Sequence, residues 1–193
     1  MKKHLFLTEL PFLASSSPLR ELLGPSLSVA GGYLTDPVAM SDSSLRVVLT
    51  PAAAAGGAKG FETPVIYERR SSSVIKDNEV FRSLGVRLLS EAVYYPYAVL
   101  DRIGGYELVV PQFRNALSEL LSSDTPLIGV LLSSSDAAVL AQNLGLGERY
   151  LLLNKRLHEA LREDADTLLL DASASSPDAV RRILQQWARE YVF

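Results

Sequence analysis

Lys3-His4-Leu5-Phe6-Leu7-Thr8-Glu9-Leu10-Pro11-Phe12-Leu13-Ala14-Ser15-Ser16-Ser17-Pro18-Leu19-Arg20-Glu21-Leu22-Leu23-Gly24 reads as an apolar strand, a loop and a helix. Ser17 suits the N-cap and Pro18 the first helical position, where a missing N–H costs nothing. Gly24 suits the position just past the helix end. A turn of this kind that wraps phosphate carries glycines and a lysine. This one carries neither: no glycine precedes Gly24, and no lysine lies between Lys3 and Lys59.

Working outward, Gly31–Thr35 and Ser44–Thr50 read as two strands joined by the turn Met40–Ser43, a hairpin. Pro51–Gly57 reads as a surface loop with one helical turn, because it lacks the strand-loop-helix context of a phosphate loop. A further strand lies near Pro64–Tyr67, and Arg69–Ser73 reads as a solvated turn whose arginines could meet a phosphate. Asn78–Val93 places Val80, Phe81, Leu84, Leu88 and Leu89 on one helical face. Tyr97–Asp101 is a continuous apolar run ending in a carboxylate, the signature of a central parallel strand covered on both sides. Pro111 opens a helix through Leu121, with Phe113, Leu117, Leu120 and Leu121 inward.

The alternation continues with strand Leu127–Leu132 and helix Asp136–Leu144, closed near Gly145. Strand Tyr150–Leu153 then precedes helix Leu157–Arg162, and strand Thr167–Leu170 precedes a last helix from Ser176-Pro177 that buries Val180, Ile183, Leu184, Trp187 and Tyr191. Alternating strands and helices predict an α/β fold, a three-layer sandwich around a mostly parallel sheet. A β-hairpin is inserted after the first helix, and a single domain over residues 1–193 is expected.

Composition removes several function classes. The net charge of −3 shows no basic excess, so a nucleic-acid partner is not expected. With no cysteine there are no disulfides, thiol nucleophiles or cysteine metal sites. His4 and His158 lack ligand-like neighbours, so no metal site is predicted. The apolar run Leu5–Leu7 is too brief for a signal peptide, and no stretch approaches the roughly 20 apolar residues that span a bilayer. A cytoplasmic protein without membrane contact is the expectation.

Four segments occur in a recognisable order: Lys3–Thr8, Gly31-Gly32-Tyr33-Leu34-Thr35, Val99-Leu100-Asp101-Arg102-Ile103-Gly104-Gly105-Tyr106-Glu107-Leu108, and Pro126-Leu127-Ile128-Gly129-Val130. In these the chain resembles the small P-loop nucleoside-triphosphatase family known from thermophiles and, in animals, as the cancer-related nucleoside-triphosphatase. The resemblance covers nearly the whole chain, is strongest over residues 97–132, and implies a P-loop NTPase-like fold. In that family the first loop reads Thr-Gly-x-x-Gly-x-Gly-Lys-Ser/Thr-Thr. Laid on this chain, the glycines fall on Glu9, Phe12 and Ala14, the lysine on Ser15 and the magnesium-binding hydroxyl on Ser16.

Only Thr8 and the hydroxyl match. Glycines allow torsions and a close approach that a Cβ resists, and Ser15 cannot supply the lysine's charge. The loop from Glu9 to Ala14 is expected to be packed by Leu10, Phe12 or Leu13 instead of opening a phosphate cradle. The family's Asp-Glu after the central strand is half present: Asp101 matches the magnesium-supporting aspartate, and Arg102 stands where the water-orienting glutamate would be. Arginine cannot act as a base.

The candidate ligand-binding residues are therefore Ser15, Ser16, Ser17, Asp101 and Arg102, with no catalytic residue assigned. Three hydroxyls at a helix start could hold an anion, whereas the plain alternative is a capped helix with loop serines. Arg102 could bind a phosphate, or simply pair with Asp101 or face solvent. Ser15 lacks the Gly-x-Ser-x-Gly turn of a hydrolytic nucleophile, and Asn154-Lys155-Arg156 reads as a polar strand-end turn.

Three functions follow from the resemblance and its gaps. The first is a degenerate, catalytically silent relative of these triphosphatases, with a regulatory role or a protein partner. The second is a nucleotide- or anion-binding module with an altered loop, and the third a residual nucleoside-triphosphate hydrolase. No cofactor is expected beyond a vestigial ATP and magnesium site with weak nucleotide binding. Loss of the cation, the water-orienting carboxylate and the loop amides removes effects each worth orders of magnitude, which places the hydrolase last.

Overall fold

The computed structural model describes residues 1–10, 17–39, 45–70 and 73–193. In chain order these form β1 (His4–Thr8), α1 (Pro18–Leu23), a 3-10 turn (Gly24–Val29), β2 (Ala30–Ala39), β3 (Leu45–Pro51), α2 (Ala52–Ala55), β4 (Val65–Arg70) and β5 (Ser73–Lys76). A helical rod over 78–94 follows, made of α3 (Asn78–Val80), a π-helical turn (Phe81–Gly85), α4 (Val86–Glu91) and a 3-10 turn (Ala92–Tyr94). Then come β6 (Tyr97–Ile103), a 3-10 turn (Tyr106–Val109), α5 (Pro111–Leu121), β7 (Leu127–Leu131), α6 (Ser134–Leu144), α7 (Glu148–Glu163), β8 (Thr167–Asp171) and α8 (Pro177–Tyr191).

All strands join one eight-stranded sheet in the order β5-β4-β3-β2-β6-β7-β1-β8. The run β2-β6-β7-β1-β8 is parallel, and β3, β4 and β5 extend it as an antiparallel meander. The predicted hairpin is β2 with β3, although β2 also pairs with β6 and so belongs to the parallel sheet. Its connecting turn, Met40–Ser43, lies outside the described residues, as do Ser71 and Ser72 between β4 and β5.

Side-chain alternation divides the core between the two sheet faces. Leu5, Leu7, Val99, Ile128 and Val130 pack under α1 and α8, where Trp187 is fully buried. Phe6, Ala98, Leu100, Leu127 and Leu131 pack on the opposite face, against the 78–94 rod and α5, α6 and α7. A fully buried large apolar side chain contributes about 1.5–3 kcal/mol, so both layers are needed to hold the sheet. The helix ends follow the sequence signals: Ser17 Oγ accepts from the Leu19 N–H at the start of α1, and Gly24 closes it at φ +47°. Ser133 and Ser176 cap α6 and α8 in the same way.

Three readings are corrected. Tyr150–Leu153 is not a strand but part of α7, which takes in residues 157–162 as well. Its buried face is Tyr150, Asn154, His158 and Leu161, spaced at helical intervals, while Leu151 and Leu152 point to solvent. The stretch Pro51–Gly57 does hold one helical turn, but Ala52 and Ala53 are buried rather than on the surface. Arg69–Ser73, read as a solvated turn, instead takes in the end of β4 at Arg70 and the start of β5 at Ser73, and β5 is the outermost strand, exposed throughout. Among the described residues no helix is long and apolar enough to cross a membrane.

Candidate functional site

Parallel sheets present their carboxyl strand ends as ligand sites, and here the ends of β1, β2 and β6 converge. After β1 the chain turns at Glu9 with φ +57°, the left-handed region that a Cβ disfavours. This is the position onto which the resemblance places the first loop glycine. Leu10 is half-buried against the core beneath α1. Phe12, Leu13, Ala14 and the candidate residues Ser15 and Ser16 lie outside the described residues.

β6 carries a bulge at its carboxyl end. Leu100 pairs with Gly129 and Ile103 with Leu131, so Asp101 and Arg102 together oppose Val130. Arg102 has φ +55°, the torsion that absorbs the extra residue. In a regular strand these two side chains would point to opposite faces. With the bulge, both reach Thr35 on β2.

Asp101 is fully buried. Its Oδ1 accepts from Ser17 Oγ at 3.2 Å, and its Oδ2 accepts from Thr35 N and Thr35 Oγ1, each at 3.1 Å. Arg102 Nη1 donates to the same Oδ2 at 3.0 Å, and also to Thr35 O at 2.7 Å and Thr35 Oγ1 at 3.1 Å. Burial pushes the Asp101 carboxyl above its ordinary range, opposed by the Arg102 charge and by hydrogen bonds from Thr35 and Ser17. The structure thus brings together Ser17, Asp101 and Arg102. The hydroxyl that meets Asp101 is Ser17's, whereas the resemblance assigns the magnesium-binding hydroxyl to Ser16.

A second carboxylate sits one turn further on. Glu107 is buried, and its Oε1 accepts from Gly104 N at 2.7 Å and Gly105 N at 2.9 Å. Desolvation pushes its carboxyl up to about 7, against these amide hydrogen bonds. Gly104 adopts φ +96°, and a Cβ on Gly105 would lie 2.7 Å from Glu107 Oε2, so the turn requires glycines. α7 clamps it from behind: Tyr150 Oη and Asn154 Nδ2 both donate to Gly104 O, at 2.9 and 3.0 Å. His158 Nε2 lies 2.8 Å from Leu132 O. Asn154 is therefore a buried clamp on a helix, not the polar strand-end turn read from the sequence.

This chain is similar in structure to THEP1 from the hyperthermophile Aquifex aeolicus. The TM-score is 0.61 at 13% sequence identity, over 97% of this chain and 98% of that one. No protein-family model and no curated protein sequence matches the chain. The likeness to THEP1 is one of fold, a P-loop NTPase-like α/β sandwich.

The nucleotide-bound magnesium that the resemblance implies can be weighed against the Asp101 donor set. Magnesium takes near-octahedral oxygen ligands and keeps several waters. Three protein donors converge on Asp101 Oδ2, and Oδ1 accepts from Ser17 Oγ alone, within a fully buried side chain. One buried carboxylate oxygen without a second acidic partner among the described residues does not make a magnesium set. Among the described residues no group of three or more acidic or histidine side chains could hold a metal.

Sequence reasoning missed Thr35 and Glu107. The signal for Glu107 was the Gly104-Gly105 pair two residues before it, a turn with free amides. Thr35 carried no local signal, since its role depends on pairing with a strand 66 residues away.

Proposed function

We propose that this chain is a degenerate P-loop NTPase-like protein that does not hydrolyse nucleotide and serves a regulatory or protein-binding role. The observation that carries this reading is the buried Asp101–Arg102 pair. A carboxylate that supports magnesium turns an oxygen or a bound water toward the metal, and here Oδ2 is taken by Thr35 and Arg102 while Oδ1 accepts from Ser17. The family's water-orienting glutamate is replaced by the same arginine, which cannot accept a proton. The left-handed Glu9 supports the view that the loop's entry torsion survived loss of its glycine. No nucleic acid, membrane or resident cofactor is part of this reading, and a cytoplasmic location accompanies it.

A role for Arg102 as a phosphate grip finds little support, because its Nη1 is held by Thr35 and Asp101. Steady-state phosphate release from ATP and GTP with magnesium tests the proposal. The expected rate is that of buffer alone. Turnover that disappears in Asp101→Ala would overturn it.

A further inference from the structure

On the sheet face opposite α1, between the carboxyl ends of β2 and β6 and the π-helical turn, lies a cavity of about 40 Å³. At roughly 10–15 Å³ per water-sized group, it holds about three to four such groups. Its walls include Tyr33, Tyr67, Phe81, Tyr106, Arg102 and Glu107. Phe81 and Tyr106 meet edge to face at 5.2 Å and 81°. The Tyr106 hydroxyl is spent on Ile66 O. Tyr33 lines the same cavity, and no described residue hydrogen-bonds to its hydroxyl. That oxygen is therefore available to a group bound in the cavity.

Charge decides what that ligand carries. Arg102 and Glu107 are the charged residues in the wall. Arg102 is answered by Asp101 at 3.0 Å. Glu107 is answered only by neutral amides, so its ionised form leaves one negative charge facing an aromatic wall. Aromatic faces and a carboxylate together favour a cation.

We propose that this cavity binds a compact organic ammonium ion, held by the Glu107 carboxylate and the Tyr33 hydroxyl. The site is independent of any nucleotide chemistry at Asp101. Groups facing Glu107 are Tyr33 from β2, Tyr106 on its own turn, Tyr150 from α7, and the Asp101–Arg102 pair on β6. Burial and the Glu107 charge hold all three tyrosines above their ordinary range, so they stay neutral when Glu107 titrates.

The test is an amide NMR titration of the full chain with propylammonium chloride, against propan-1-ol and sodium chloride at matched ionic strength. At about pH 8, propylammonium should shift the Gly104 and Gly105 amides saturably, about tenfold more tightly than propan-1-ol. Binding should weaken about tenfold by pH 5.5, as Glu107 takes up a proton. Glu107→Gln keeps an oxygen for the two amides and should abolish the preference for the cation. Tyr33→Phe should weaken binding by about three- to tenfold and decides the matter, with the pH profile, if the glutamine variant does not fold. Absence of saturable shifts, equal binding of propan-1-ol, or affinity unchanged by pH and by Tyr33→Phe would overturn the proposal.

Discussion

At the residue scale, Asp101 and Arg102 share one hub with Thr35 and Ser17, and both charges are largely removed from water. Breaking a buried ion pair by removing one partner leaves the other uncompensated, which costs about 3–5 kcal/mol. Asp101→Asn is therefore expected to lower unfolding free energy by about that amount in urea denaturation. A change under 1 kcal/mol would mean that the hub is solvated. Glu107 makes a different prediction. Its folded carboxyl sits at about 7, against 4.5 for the ordinary group, so the folded chain keeps a proton that the unfolded chain releases across that interval. This contribution to stability is full below about 4.5 and is lost as pH rises through about 7. Thermal unfolding of Glu107→Gln, compared with the parent across this range, should show the parent's downward slope removed. Ser17, Asp101 and Arg102 were legible because they flank a strand end and a helix start. Thr35 was not, because no local pattern announces a partner strand.

At the element scale, helix starts were read more accurately than apolar runs. Ser17 and Ser176 cap helices, and Pro18, Pro111 and Pro177 open them, because these signals act locally. Tyr150–Leu153 misled because four consecutive apolar residues fit a buried strand as well as a helix. The arbiter lay further on, in Asn154 and His158, which share a helical face with Tyr150 and are aimed at the β6 and β7 ends. β5 escaped notice because an exposed edge strand carries no alternation. The α7 clamp can be tested directly. Asn154→Ala removes one of two donors to Gly104 O and should cost about 1–2 kcal/mol in chemical denaturation. Tyr150 keeps that carbonyl satisfied, so the fold should survive. A neutral result would show that the clamp contributes packing alone.

At the scale of the whole molecule, the sheet order and the two-sided core give a P-loop NTPase-like fold shared with THEP1. The fold is specified by many apolar positions at once, on both faces of the sheet. The proposed function rests on a few polar groups, and those bond within the chain: Asp101 and Arg102 to Thr35, Glu107 to the Gly104-Gly105 amides. The most direct measurement is a calorimetric titration of the full chain with ATP and magnesium chloride, run beside Asp101→Ala. The account predicts no saturable heat for either protein. Micromolar binding to the parent that is lost in the variant would contradict it.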